Sequence, residues 1–193
     1  MKVIFLDNDG VICLSNNWGS RHKKQNQWGK RKLSMSASSI PVEYRFDNFD
    51  TKAIAVLNEI LEQTGAEIVV SSDWRLYATL NELGEYYISQ GIIKKPIAIT
   101  KKLGEFDVPN DFAWSREWDL EQVRSFEIHQ FLKEHSEITH WVAVDDLNMG
   151  KTGKHYSVDF THDWGLENFV HTPFNRQGIK QSGIKDKILK YLL

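Results

Sequence analysis

Apolar positions along the chain alternate between two kinds of pattern. Short, nearly unbroken apolar runs at Val3–Leu6, Ala66–Val70, Pro96–Ile99, His140–Val144 and Asn168–His171 have the length and residue content of buried strands. Between them the apolar residues take helical spacing. One such stretch runs from about 51 to 64 with Ile54, Leu57 and Leu61 on one face, Asp50 placed as N-cap and Gly65 as terminator. Others run over about 76–89, closed by Gly91, over about 117–134 with Leu120, Val123, Phe131 and Leu132, and over 183–193 with Ile184, Ile188, Leu189 and Leu192. Strands alternating with helices predict a three-layer α/β domain around a mostly parallel sheet.

The strand-like runs stop abruptly in polar residues. The first ends in Asp7-Asn8-Asp9-Gly10, the second in Ser71-Ser72-Asp73-Trp74-Arg75, the fourth in Asp145-Asp146. In open parallel sheets the carboxyl ends of the strands line the ligand crevice. Carboxylates placed just past buried strands are costly to leave unpaired. They invite a divalent cation with oxygen ligands, Mg2+ in particular. The seven histidines form no close zinc spacing, and His155 and His162 read as surface or structural residues.

Between about residues 14 and 48 the periodicity disappears, which predicts an insertion into a single domain spanning 1–193. Arg21, Lys23, Lys24, Lys30, Arg31 and Lys32 follow one another without an acid, and Trp18 and Trp28 interleave with them. Two readings stand: a solvated loop, or a cationic flap whose rings stack on a phosphorylated, nucleotide-like substrate. Trp18, Trp28, Lys23 and Lys24 are its candidate contacts, joined by Arg75 from the second strand's end. The net charge of −2 removes any global nucleic-acid or membrane signature, so attraction to a polyanion has to be local. The single cysteine, Cys13, suits a reducing compartment, and no 18-residue apolar run or secretory signal is seen; a cytoplasmic protein is expected. Oligomeric state is not legible.

A short hydrophobic strand followed by Asp7-x-Asp9-Gly10-Val11 resembles motif I of the haloacid dehalogenase (HAD) phosphohydrolases. Ser71, with Ser72 as alternate, resembles their motif II, and Asp145-Asp146 their motif IV. Arg124 is the candidate for the basic motif III, with Lys102 and Arg116 as alternates. The stretch Phe49–Arg75, together with Arg124, Glu127-Ile128, Asp145-Asp146 and Asn148-Met149, resembles more closely the compact HAD domains of "Swiss Army Knife" RNA-repair proteins. The chain departs from that pattern at Asn148, where a further acid is usual.

This resemblance implies a Rossmann-like HAD fold with a small or absent cap. It implies a Mg2+-dependent phosphatase in which Asp7 is the nucleophile and Asp9 the acid and base. Asp7, Asp146, Asp145 and the Asp9 carbonyl would hold the metal, and Ser71, Ser72 and Arg124 the phosphoryl oxygens. The implied substrates are nucleotides or phosphorylated RNA or DNA ends. A small-metabolite phosphatase is the alternative, as is a non-catalytic scaffold that binds phospholigands or proteins; two acids in motif I argue against the latter.

Overall fold

Five strands form one sheet in the order β3-β2-β1-β4-β5, every neighbouring pair parallel. They are β1 (Lys2–Leu6), β2 (Glu67–Val70), β3 (Ala98–Ile99), β4 (His140–Asp145) and β5 (Phe169–His171). This is a computed structural model, and it describes residues 1–14, 40–103, 120–150, 165–174 and 176–193. Strand order reverses at β1, which lies between β2 and β4. That reversal opens the crevice at the carboxyl ends of β1 and β4.

Side chains alternate across β1 because successive residues of a strand point to opposite faces. Ile4 and Leu6 enter the larger core with Ile68, Val70, Val142 and Val144. Val3 and Phe5 enter the second core with Val69 and Ala143. The first face is covered by α2 (Thr51–Thr64), α3 (Leu80–Ser89) and α5 (Ile184–Leu192), which contribute Leu57, Ile60, Leu83, Tyr87 and Ile188. The second is covered by α4 (Leu120–Glu134), whose Ile128 and Phe131 pack there, Phe131 edge-on to Phe5 at 5.5 Å. These are the three layers that the hydrophobic pattern predicts.

The caps of α2 match the sequence reading. Asp50 accepts a hydrogen bond from the Ala53 amide, and Gly65 closes the helix in the left-handed region at φ 67°. The stretch 76–89 does not. A 3-10 turn covers Asp73–Leu76, and α3 begins only at Leu80. Two local caps compete there. The Ser72 hydroxyl accepts from the Trp74 amide and starts the turn, while Thr79 and Glu82 form a reciprocal capping box that starts the helix. The apolar spacing ran across both and hid the break.

The carboxyl end of the predicted insertion is built into the domain. A short helix, α1 (Val42–Arg45), leads into Phe46, which is buried. The buried Arg45 guanidinium donates to the Ile40 and Tyr77 carbonyls and to Glu82. That ion pair, with the Thr79 amide, holds Glu82 below the usual carboxylate range. Residues 15–39, including Trp18, Trp28, Lys23, Lys24 and the six-cation run, lie outside the described residues, as do Arg116, His155 and His162. No helix among the described residues is long and apolar enough to cross a membrane.

Candidate active site

Sheet register assembles the site. Leu6 is paired with Val70 on one side and Val144 on the other. The ladder continues one step further, with the Ser71 amide donating to the Leu6 carbonyl and the Asp7 amide to that of Val144. Asp7, Ser71 and Asp145 therefore stand side by side at the crevice edge, Thr100 flanking Ser71 and His171 flanking Asp145. Each is the last pleat of its strand or the first residue after it. The chain turns sharply after Asp7, where the Asn8 carbonyl accepts from the amides of Val11, Ile12 and Cys13. Gly10 makes that turn at φ 73°. A Cβ at Gly10 would lie 2.2 Å from Asp146 Oδ2, so the missing side chain also makes room for the Asp146 carboxylate.

One carboxylate oxygen from each of Asp7, Asp145 and Asp146 lies within 4.8 Å of the others. Asp7 and Asp145 are buried and Asp146 partly so. Arg124 reaches this group from α4. Its Nη1 donates to Asp7 Oδ1 at 2.8 Å, Asp145 Oδ2 at 3.1 Å and the Ser71 carbonyl at 3.1 Å. Nη2 lies 3.3 Å from the half-exposed Asp73. The inward face of α4 is correspondingly polar over Arg124, Ser125 and Glu127 before turning apolar at Ile128 and Phe131. Lys102, an alternate for the same role, is exposed beyond β3.

Three acids face one guanidinium, and the protonation equilibria register the imbalance. Burial pushes Asp7 well above the usual carboxylate range; Asp145 pushes it further and Arg124 pulls it back. Burial lifts Asp145 to about 7 against the opposing pull of Arg124 and the Leu147 amide. Asp146 is raised by burial too, opposed by Arg124 and reinforced by Asp9. Arg124 loses solvation on burial, yet Asp7 and Asp145 hold it even more firmly protonated than usual. A site with excess buried negative charge and an all-oxygen donor set fits a hard divalent cation. Asp7, Asp145 and Asp146 are the side chains that would hold it.

The Ser71 hydroxyl is buried beside Asp7 and has no hydrogen-bond partner among the described residues. A hydroxyl left unpaired in a buried site costs stability, so it marks a place where a ligand oxygen would be welcomed. Ser72, read from sequence as an alternate phosphate contact, instead spends its hydroxyl on the Trp74 amide as cap of the 3-10 turn. Arg75, read as a substrate contact, is folded inward. It pairs with the buried Glu127 carboxylate and donates to the Thr100 hydroxyl, while Glu127 also accepts from the Leu103 amide.

Asp9 is not one of the three grouped acids, though its charge raises both Asp7 and Asp146, and its Oδ2 accepts from the Trp74 indole at 2.9 Å. Neither this bond nor the one from Tyr87 Oη to Asn8 Oδ1, 2.5 Å long, was foreseen in the sequence. Both join residues more than sixty positions apart, and only the tertiary fold brings them together. The place of His171, whose ring nitrogen lies 2.9 Å from the Asp146 carbonyl, was foreshadowed only in that it ends the fifth apolar run.

A family model describing the HAD domain in Swiss Army Knife RNA repair proteins matches residues 3–173. Neither the curated proteins nor the solved structures contain a match to the chain. The family match spans most of the chain, from β1 through β5, and the five-stranded all-parallel sheet is consistent with its Rossmann-like HAD fold. The chain belongs to this HAD domain family, and through it to the HAD phosphohydrolase superfamily.

Proposed function

We propose that the protein is a Mg2+-dependent phosphatase that works through an aspartyl-phosphate and acts on nucleotides or phosphorylated nucleic-acid ends. The observation that carries the reading is the row formed by Asp7, Asp145 and Ser71 around the Arg124 guanidinium, with the Ser71 hydroxyl unpaired among the described residues. An anion binds where a fixed cation and an unsatisfied donor meet. A phosphoryl group placed there lies against the Asp7 carboxylate.

In the first half-reaction an Asp7 oxygen bonds to phosphorus as the bond to the leaving oxygen breaks. The Asp9 carboxyl gives its proton to that leaving oxygen. In the second half, water attacks the phosphorus, its proton passes to the Asp9 carboxylate, and the Asp7–phosphorus linkage breaks to release phosphate. Ser71 and Arg124 hold the non-reacting phosphoryl oxygens throughout. Mg2+, when bound by Asp7, Asp145 and Asp146, supplies neutralisation of phosphoryl charge. By forming its ion pair with Asp7 and Asp145, Arg124 keeps the nucleophile oriented toward the crevice.

The nucleic-acid part of the reading rests on the six-cation run from Arg21 to Lys32 with its two tryptophans, and on the family's occurrence in RNA-repair proteins. Hydrolysis of an aryl phosphate with and without Mg2+ tests the chemistry. Wild type should turn over only with metal, and Asp7→Asn should be inactive while folding normally. Oligonucleotides with 3′- or 5′-phosphates test the substrate. Neutralising Arg21, Lys23, Lys24, Lys30, Arg31 and Lys32 together should raise KM for them at low salt and leave aryl phosphate kcat unchanged. Equal oligonucleotide kinetics in mutant and wild type would leave a small-metabolite phosphatase as the better description.

A further inference from the structure

We propose that Trp74 is a positioning residue for Asp9, holding that carboxylate in the orientation from which it delivers a proton to the leaving oxygen. The inference rests on the phosphatase reading and adds a residue to it. The indole N–H can only donate, and it donates to Asp9 Oδ2 at 2.9 Å. The ring cannot turn away. It is 1% exposed and is stacked on Phe46 at 4.1 Å and 6°. Phe49 stacks beside it at 5.4 Å and Tyr86 packs at 5.9 Å.

The backbone around Asp9 is fixed separately. The Asn8 carbonyl closes the turn onto the amides of Ile12 and Cys13, and the Asn8 side chain accepts from Tyr87 Oη. The turn sets where the Asp9 Cα stands; Trp74 sets the rotation of the carboxylate. Asp9 is only partly buried, whereas Asp7 is buried and held by Arg124. A carboxylate on a partly exposed turn has rotamer freedom to lose, and proton transfer demands a defined approach. The same strand end thus supplies two parts of the site: Ser71 as a phosphoryl contact and, three residues on, Trp74 as the brace for the acid.

A buried indole also needs a hydrogen-bond acceptor for stability alone, so the test must separate bracing from packing. Leaving-group dependence does this. An alkyl phosphate needs its leaving oxygen protonated as the P–O bond breaks; 2,4-dinitrophenyl phosphate does not. kcat/KM reports the first half-reaction and is insensitive to hydrolysis of the aspartyl-phosphate. With Mg2+ present, Trp74→Phe should lower kcat/KM for the alkyl ester about ten- to hundredfold more than for the dinitrophenyl ester, a partial loss of the roughly 10²–10⁴-fold that general acid catalysis contributes. Added to Asp9→Asn, the same substitution should cause no further alkyl-specific loss.

If Trp74→Phe fails to fold, position 74 is filled with β-(3-benzothienyl)alanine, which keeps the fused ring and replaces the N–H by sulfur; the same expectations apply. Equal losses on the two esters, no loss on either, or a further alkyl-specific loss in the Asp9→Asn background would overturn the inference while the phosphatase reading stood. Absence of metal-dependent turnover of both esters by wild type would overturn that reading and this inference with it.

Discussion

Asp145 provides a quantitative check on the electrostatics of the site. It is 1% exposed, accepts from Arg124 and from the Leu147 amide, and still titrates at about 7 because burial dominates. In the unfolded chain an aspartate titrates near 3.9. Between those values the folded protein keeps a proton that the unfolded chain has released. The folded state then binds more protons at this group, so the contribution of Asp145 to stability without metal is fully present below about pH 4 and is lost as pH rises from about 4 to about 7. The gap corresponds to about 4 kcal/mol once both states are ionised. This slope is opposite to ordinary acid denaturation.

Asp145→Asn removes the titration. Its amide oxygen still accepts from Leu147, but its NH2 now faces Arg124, a loss of about 1–3 kcal/mol that does not depend on pH. The mutant's stability relative to wild type should therefore be more favourable at about pH 8 than at about pH 5 by about 2–3 kcal/mol. For a domain of this size that is roughly 4–12 °C in Tm. Thermal melts of both proteins in chelator across that pH range measure it. Parallel Tm–pH curves, or a mutant whose relative stability improves toward acid pH, would refute the reasoning. Saturating Mg2+ should narrow the advantage at pH 8, since a ligand at a hundredfold its Kd adds about 2.7 kcal/mol to the form that binds it.

Two further outcomes follow from neighbouring contacts. Gly10→Ala should weaken Mg2+ affinity at least tenfold by isothermal titration, because a Cβ there collides with the Asp146 carboxylate and φ 73° is unfavourable for alanine; unchanged affinity would show that Asp146 is not a metal ligand. Glu127→Gln should cost about 3–5 kcal/mol in urea unfolding, because it strips the buried charge partner from the Arg75 guanidinium and leaves only the half-exposed Asp73, 4.0 Å away. The pair Arg75→Met with Glu127→Leu should recover much of that loss, and a single mutant within about 1 kcal/mol of wild type would show the ion pair to be incidental.

What the sequence made legible was whatever depends on short-range order and on the parity of strands. Val3–Leu6, Ala66–Val70 and His140–Val144 each stop at a polar residue; the order and register of the sheet, which lay Asp7, Ser71 and Asp145 in a row, are tertiary facts. Arg124 was legible only through the family pattern, because one arginine on a helix carries no local mark of its partners. The two-cap break between Asp73–Leu76 and Leu80–Ser89 was written in the Ser72 and Thr79–Glu82 side chains but overridden by apolar spacing.

The roles of Arg75 and Trp74 had no local signature. A charged and an aromatic residue just past a strand end are equally compatible with facing a substrate or turning inward. The choice depends on what α4 and the segment ending at Phe49 place beneath them. Glu127, one helical turn from Arg124, draws Arg75 down, whereas Phe46 and Phe49 fix the plane in which the Trp74 N–H meets Asp9. Thus the acids that would meet the phosphoryl group come from strand periodicity, while the groups that orient them come from contacts spanning tens of residues. Phe46, at the carboxyl end of the predicted insertion, and Phe49, just past it, belong to the second class: they act on the site from behind, through the ring that holds Asp9.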